Sequence, residues 1–199
     1  MRAASRFLML FTLLTGTAGA GLIVYQWTLG PVVAAVSATS FTVNDVKANK
    51  KPLRPEFSLA DVQGKTHSIR EWDGKIILLN FWATWCPPCQ REMPAFVKLQ
   101  DKYGKLGFQI IGVAIDQKQA VLDFADSIGV NYPMLIGELD AVDVAKRYGN
   151  ERGQLPYSVI IDQSKRVILV KRGEITHEEI EKVILTLLPK TVPQAKLQP

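Results

Sequence analysis

Both cysteines of the chain lie in one five-residue stretch, Trp85-Cys86-Pro87-Pro88-Cys89. They directly follow the apolar run Ile76-Ile77-Leu78-Leu79-Asn80-Phe81-Trp82 and directly precede a helical pattern. A strand that feeds a Cys-x-x-Cys into a helix N-terminus is what a dithiol/disulfide redox centre needs. The thiolate is the attacking species in thiol–disulfide exchange, and a free thiol at neutral pH is mostly protonated. A helix N-terminus carries partial positive charge and unpaired N–H groups, so it favours the anion. Cys86 is expected at that terminus, outermost and accessible, as the nucleophile. Cys89, one turn in, is expected to resolve the mixed disulfide. Pro87 and Pro88 fit the first turn, where a missing N–H costs little, yet they remove two donors from the thiolate.

Two structural readings compete. A disulfide closing so short a loop adds little stability on the chain-entropy argument. A structural zinc site needs four ligands. Cys86, Cys89, His67 and His177 are numerically enough, but the histidines are far apart and neither belongs to a paired ligand motif. Surface or turn positions suit both histidines better, and no metal site is expected.

The elements around the motif follow from periodicity. Glu56–Leu59 and Thr66–Ile69 read as short strands around the turn Asp61-Val62-Gln63-Gly64, and Ser68-Ile69-Arg70-Glu71 reads as a capped helical turn. Lys75–Trp82 and Phe108–Ile115 have the near-continuous apolar character of strands buried on both faces. Pro87–Tyr103 reads as a helix with Pro94 inside it, where a kink is expected. Its residues Phe96, Leu99 and Tyr103 form one core-facing stripe. Gln117–Ile128 reads as a helix with Val121, Leu122, Phe124, Ala125 and Ile128 inward, ended by Gly129. Met134–Ile136 is a short apolar piece, and Leu139–Tyr148 is helical up to Gly149. Tyr157–Asp162 and Arg166–Lys171 form a hairpin. Thr176–Leu188 is the last helix, opened by the capping box Thr176-His177-Glu178-Glu179. The order implies an α/β domain, a mixed sheet with helices on its faces.

Composition narrows the function classes. The chain has 199 residues, an apolar fraction of 47% and a formal net charge of +5. Arg2, Arg6, Lys47, Lys50 and Lys51 stand against Asp45 in the first 51 residues, leaving the remainder nearly neutral. A nearly neutral domain offers no electrostatic case for nucleic-acid binding. Arg2 and Arg6 precede the apolar run Phe7–Trp27, about long enough to span a bilayer. This predicts a signal anchor over 1–27. The rival is a cleaved signal peptide ending near Ala18-Gly19-Ala20. The run continuing through Leu22-Ile23-Val24-Tyr25-Gln26-Trp27 favours the anchor. Residues 28–51 read as a tether, 52–188 as the domain and 189–199 as a mobile tail. Either targeting reading exports the domain to a compartment where disulfides form.

Asn80-Phe81-Trp82-Ala83-Thr84-Trp85-Cys86-Pro87-Pro88-Cys89-Gln90-Arg91-Glu92-Met93-Pro94 resembles the active-site signature of TlpA-like exported thioredoxin-fold proteins. That group includes the ResA-type and cytochrome-c-maturation reductases. Leu155-Pro156-Tyr157-Ser158-Val159-Ile160-Ile161-Asp162 resembles the family's second landmark, the proline that enters the third core strand. The resemblance covers roughly residues 53–188. It implies a thioredoxin-like fold with an N-terminal β-hairpin and an inserted β-α unit within 117–150. It also implies that Pro156 is cis and faces the disulfide, leaving nearby backbone groups free for an extended substrate; an ordinary trans turn proline is the alternative. Trp85, Pro87, Pro88 and Leu155 would form the substrate-binding surface, although an isolated tryptophan is more often a core residue.

Glu92 follows Cys89 by three residues and returns to the same helical face. In ResA-type relatives the matching glutamate is buried near the thiols and tunes their acidity, so the resemblance gives Glu92 a catalytic role beside Cys86, Cys89 and Pro156. A solvated surface glutamate is the alternative. Asn80 takes the place of the strand aspartate that relays protons in ordinary thioredoxin, and it cannot titrate. Asp116, Glu138 and Asp140 read as solvated loop charges.

The expected protein is therefore an exported, membrane-tethered thiol–disulfide oxidoreductase, a monomer with its domain in the periplasm and its N-terminus in the cytoplasm. The cysteines carry the electrons, so no cofactor is expected. The resemblance implies reduction of specific protein disulfides, with apocytochrome c thiols, a copper-delivery protein or another periplasmic dithiol protein as substrates. It also implies a membrane electron donor of the DsbD or CcdA type. The alternatives are a dithiol oxidase and a Cu(I)-binding chaperone using the same cysteines. A thiol peroxidase is disfavoured, because the Pro-x-x-x-Thr-x-x-Cys arrangement is absent.

Overall fold

The computed structural model describes residues 51–188. The expected anchor over 1–27, the tether up to residue 50 and the tail 189–199 lie outside the described residues.

Seven strands form one sheet: β1 (Ser58–Asp61), β2 (Thr66–Ser68), β3 (Ile76–Trp82), β4 (Phe108–Ala114), β5 (Met134–Ile136), β6 (Tyr157–Ile161) and β7 (Val167–Arg172). Their spatial order is β2-β1-β5-β4-β3-β6-β7. β3 pairs in parallel with β4, Leu79 opposite Ile111, and antiparallel with β6, Leu79 opposite Val159. Every residue of β3 and β4 is buried, polar Asn80 and Gln109 included, as their near-continuous apolar character predicts. Strand alternation then divides the core in two. Ile76, Leu78 and Trp82 face α1 (Pro87–Tyr103) and α4 (His177–Leu187), packing with Met93, Phe96, Leu99, Ile180 and Ile184. Ile77, Leu79 and Phe81 face the other way, onto Ala141, Val144 and Ala145 of α3 (Leu139–Arg147) and onto Tyr148.

The local signals act as their chemistry dictates. Ser68 caps a 3-10 turn over Ile69–Trp72, and Thr176 caps α4, each in a reciprocal box with the glutamate three residues on. Gly129 ends α2 (Lys118–Ile128) in the left-handed region at φ 67°. Two expectations need correction. β1 starts at Ser58 and reaches Asp61, because the Asp61 carboxylate accepts from the Gln63 and Lys65 amides and so carries the hairpin turn at the strand's end. Of the apolar face of α2, only Val121 is fully buried, with Leu122, Phe124, Ala125 and Ile128 half-buried. α2 lies over the short β5 region, where Leu122 and Ala125 line a cavity of about 360 Å³ with Val62 and Met134.

Gly112 lies where β4 packs closely against Met134 and Trp82. A Cβ there would lie 2.4 Å from Met134 Sδ and 3.3 Å from Trp82 Nε1. Gly112→Ala is expected to destabilise the domain by about 1–3 kcal/mol through overpacking. Denaturant unfolding at fixed pH reads this directly, and an unchanged midpoint would refute it.

The chain enters the domain along β7. Val167 N–H donates to Pro52 O at 2.9 Å, Arg54 N–H to Lys165 O at 2.7 Å, and the Arg166 guanidinium to Lys51 O at 2.6 Å. The buried Arg54 guanidinium pairs with Asp73 at 2.6 Å and Glu56 at 3.1 Å. These contacts pin residues 51–54 beside the β6–β7 turn.

Candidate active site

Parallel pairing sends the C-terminal ends of β3, β4 and β5 to one edge of the sheet, and antiparallel β6 brings its N-terminal end there. The loop from Trp82 to Cys86, the segment Ile115–Gln117 and the Leu155–Pro156 pair therefore meet at that edge.

Cys86 is the N-cap residue of α1, and its carbonyl accepts from Gln90 N–H at 3.2 Å. Pro87 and Pro88 occupy the first helical positions. Cys86 and Cys89 are joined as a disulfide with S–S 2.04 Å. The expectation of an accessible Cys86 needs correction: it is 5% exposed, and Cys89 is 0% exposed. Both cysteines belong to the apolar cluster with Trp82, Ala83 and Met93. Cys86 still holds the outer position of the two.

Trp85 projects beside the pair at 66% exposure. Pro87 is exposed, Pro88 and Leu155 are half-buried, and Pro156 is buried. The Leu155–Pro156 bond is cis. The pairing of Phe81 with Tyr157 carries this bond to the end of β3 from which the cysteine loop departs. Pro156 O accepts from Gly173 N–H at 2.9 Å, tying the β7–α4 loop to the site.

Glu92 is buried, not a solvated surface residue. Its Oε1 accepts from Asn80 Nδ2 at 2.7 Å and its Oε2 from Ile175 N–H at 3.0 Å. Burial pushes its carboxyl up to about 7 against the opposing pull of the Ile175 and Asn80 hydrogen bonds, and the nearby Glu174 charge adds to the rise. Asn80 also donates to Ser158 Oγ at 2.9 Å, so β3, β6 and α1 share one buried polar network behind the cysteines.

Asp116 is more than the solvated loop charge expected of it. Its Oδ2 accepts from Thr84 N–H at 2.8 Å and Thr84 Oγ1 at 2.6 Å, and its Oδ1 from Gln117 N–H at 2.7 Å. The Thr84 and Gln117 hydrogen bonds outweigh desolvation, the largest single influence, and hold this carboxyl below its usual range. Glu138 and Asp140, by contrast, are exposed at the start of α3. No sequence pattern announced Asp116, Ser158 or the Ile175 amide, since each meets its partner across a long stretch of chain.

The two histidines lie in separate clusters. His67 bridges Asp61 at 2.9 Å and Glu71 at 2.7 Å, and its hydrogen bonds to Glu71 and then Asp61 raise its basicity. His177 lies 3.7 Å from Glu181 on α4. Among the described residues, no group of three or more His, Cys, Asp or Glu side chains is placed to hold a metal ion.

Known proteins are similar to this chain in sequence and fold. The family described as AhpC/TSA matches residues 53–170. The thiol-disulfide oxidoreductase ResA of Geobacillus thermodenitrificans is 36% identical over 136 residues, covering 68% of this chain and 76% of that protein. ResA of Halalkalibacterium halodurans is 33% identical over 135 residues, covering 67% and 74%. The crystal structure of a thiol:disulfide interchange protein of the thioredoxin family from Chlorobium tepidum aligns with TM-score 0.65 at 28% identity, covering 71% of this chain and 99% of that one. The fold thus agrees with that of the solved relative, and the chain belongs to the AhpC/TSA family as a thiol-disulfide oxidoreductase of thioredoxin-like fold.

Proposed function

We propose that the chain is a membrane-tethered reductase of specific protein disulfides in the periplasm. Cys86 attacks a substrate disulfide, forming a mixed disulfide and expelling one substrate thiolate. Cys89 then attacks Cys86 Sγ, releases the second substrate thiol and leaves the Cys86–Cys89 disulfide. Trp85, Pro87, Pro88, Leu155 and Pro156 supply the surface on which the substrate strand lies. A membrane donor of the DsbD or CcdA type returns two electrons to the pair. The substrates are the disulfide forms of apocytochrome c, of a copper-delivery protein or of another exported dithiol protein.

The observation that carries the reductive direction is the buried Glu92 behind the pair. A thiol–disulfide couple becomes oxidising when its reduced form is stabilised, chiefly as a thiolate. The burial that disfavours the charged form of Glu92 disfavours a thiolate on the same helical face in the same way, and once Glu92 ionises above about pH 7 its charge opposes the thiolate further. Pro87 and Pro88 add to this, because neither offers an N–H to a Cys86 thiolate. Export and tethering are supported by Arg2, Arg6 and the apolar run Phe7–Trp27.

The deciding measurement is the equilibrium reduction potential of the Cys86/Cys89 pair against a dithiothreitol series. A value near or below roughly −270 mV is expected of a reductase. A value near roughly −120 mV would make the protein a dithiol oxidase and overturn the proposed direction.

A further inference from the structure

Thr84 stands two residues before Cys86, and its polar groups have partners on both sides. Its N–H and its hydroxyl both donate to Asp116 Oδ2, at 2.8 Å and 2.6 Å. Its carbonyl accepts from Gln90 Nε2, on the first turn of α1. The other Asp116 oxygen accepts the Gln117 amide at 2.7 Å, which fixes the carboxylate against the start of α2. Asp116 therefore joins the end of β4 to the loop that leaves β3, and Gln90 joins that loop to α1. Between these holds, Trp85 is turned outward and Cys86 takes the N-cap position.

An unclamped loop of small and polar residues would let the cysteine and the neighbouring tryptophan move independently. Sulfur exchange requires the attacking sulfur to approach along the axis of the S–S bond it breaks, so orientation has a direct effect on rate. A carboxylate accepting two hydrogen bonds from one threonine restricts both the backbone and the side chain of that residue. Hydrogen bonds to an ionised acceptor are also stronger than neutral ones.

We infer that Asp116 is a positioning residue for the exchange reaction: through Thr84 it holds Cys86 and Trp85 in the geometry from which Cys86 attacks. The inference rests on the reading of Cys86 as the nucleophile.

The test uses the full chain in a Cys89→Ser background, where only the first step can occur. The reduced protein is mixed with 5,5′-dithiobis(2-nitrobenzoic acid). The Cys86 thiolate attacks one sulfur, the aryl S–S bond breaks, a Cys86–aryl mixed disulfide forms, and one coloured aryl thiolate leaves. Its release is followed with Thr84→Val, Asp116→Asn and the double variant, with circular dichroism establishing that each is folded at the assay temperature. Asp116→Asn is expected to slow attack about tenfold, and Thr84→Val, which keeps the backbone hydrogen bond, about threefold. The double variant is expected to be no slower than Asp116→Asn, because both changes break one contact and their effects do not add. Asp126→Asn, an exposed charge on α2, is expected to leave the rate unchanged.

A merely structural contact would lower the melting temperature without slowing the folded variants, and rates within twofold of the parent would overturn the inference. Losses that multiply in the double variant would also overturn it, since Asp116 would then act independently of Thr84. A faster Asp116→Asn would do the same, because the carboxylate would be acting through its charge alone. Thr84→Val retains the carboxylate and decides the matter even if Asp116→Asn unfolds. A parent chain that releases no thiolate would refute the reading of Cys86 itself, a failure separate from that of the clamp.

Discussion

Cys86→Ser is expected to abolish disulfide exchange, lowering turnover by at least about three orders of magnitude, because a serine hydroxyl is neither appreciably ionised at neutral pH nor able to form the mixed disulfide. Cys89→Ser is expected to fail differently. The first attack still occurs, but nothing resolves its product, so the protein accumulates with one substrate bound through Cys86. The asymmetry follows from position: Cys86 caps the helix, whereas Cys89 lies inside the first turn with no exposed surface. Both chains are incubated with a disulfide peptide and resolved by non-reducing electrophoresis and mass spectrometry. A conjugate on Cys89 in the Cys86→Ser chain, and none in the Cys89→Ser chain, would reverse the roles.

Glu92 is expected to make stability fall with rising pH, a contribution that Glu92→Gln removes. Its carboxyl has an ordinary value of 4.5 and is pushed by burial to about 7 in the folded chain. Between those values the folded state holds a proton that the unfolded state has released. Stability from this group is therefore fully present below about pH 4.5 and is lost as pH rises through about 7. The size is on the order of 3 kcal/mol. Glu92→Gln keeps a hydrogen-bonding side chain but cannot ionise, so it should lack this term. Other groups pull the opposite way, among them Asp73, whose pairing with Lys165 and Arg54 lowers its carboxyl. The informative quantity is thus the difference between wild type and Glu92→Gln, from urea unfolding of the oxidised proteins across pH 4 to 8. Wild type is expected to lose ground to the variant between about pH 4.5 and 7 and to level off above that. A difference that stays constant with pH would rule out a buried, proton-holding Glu92.

The parts of this fold legible in the sequence are those governed by local pattern. The near-continuous apolar character of β3 and β4 announces central strands, because their short length and two buried faces suit a strand at the middle of a sheet. Thr176 and Glu179 mark a helix start through a box complete within four residues. The cysteine pair announces its own chemistry for the same reason. Asp116 was illegible because its partner Thr84 lies 32 residues away and a carboxylate after a strand resembles any loop charge. The cover over Cys86 was illegible because it depends on which way a sulfur turns at a helix terminus. The amphipathic pattern of α2 overstated its burial, since periodicity reports which face is inward and not how much of the sheet lies beneath it. Glu92 is intermediate: its spacing from Cys89 placed it on the cysteine face, but its burial needed Asn80 from β3 and the Ile175 amide from the start of α4.

The stitching of residues 51–54 beside the β6–β7 turn gives the domain a polarity. β6 begins at the dithiol edge and ends at the turn where Lys165 and Arg166 hold the incoming chain. The chain thus enters at the opposite edge from Cys86, separated from it by the length of the central strands, about 20 Å at 3.3 Å per residue. A pull on Lys51 would load the hydrogen bonds to Arg166 and Val167 first, at the β6–β7 turn and not at the loop carrying Trp85 and Cys86. Residues 51–54 thus occupy the end of the sheet at the β6–β7 turn and leave the strand ends that carry the disulfide uncovered by this part of the chain.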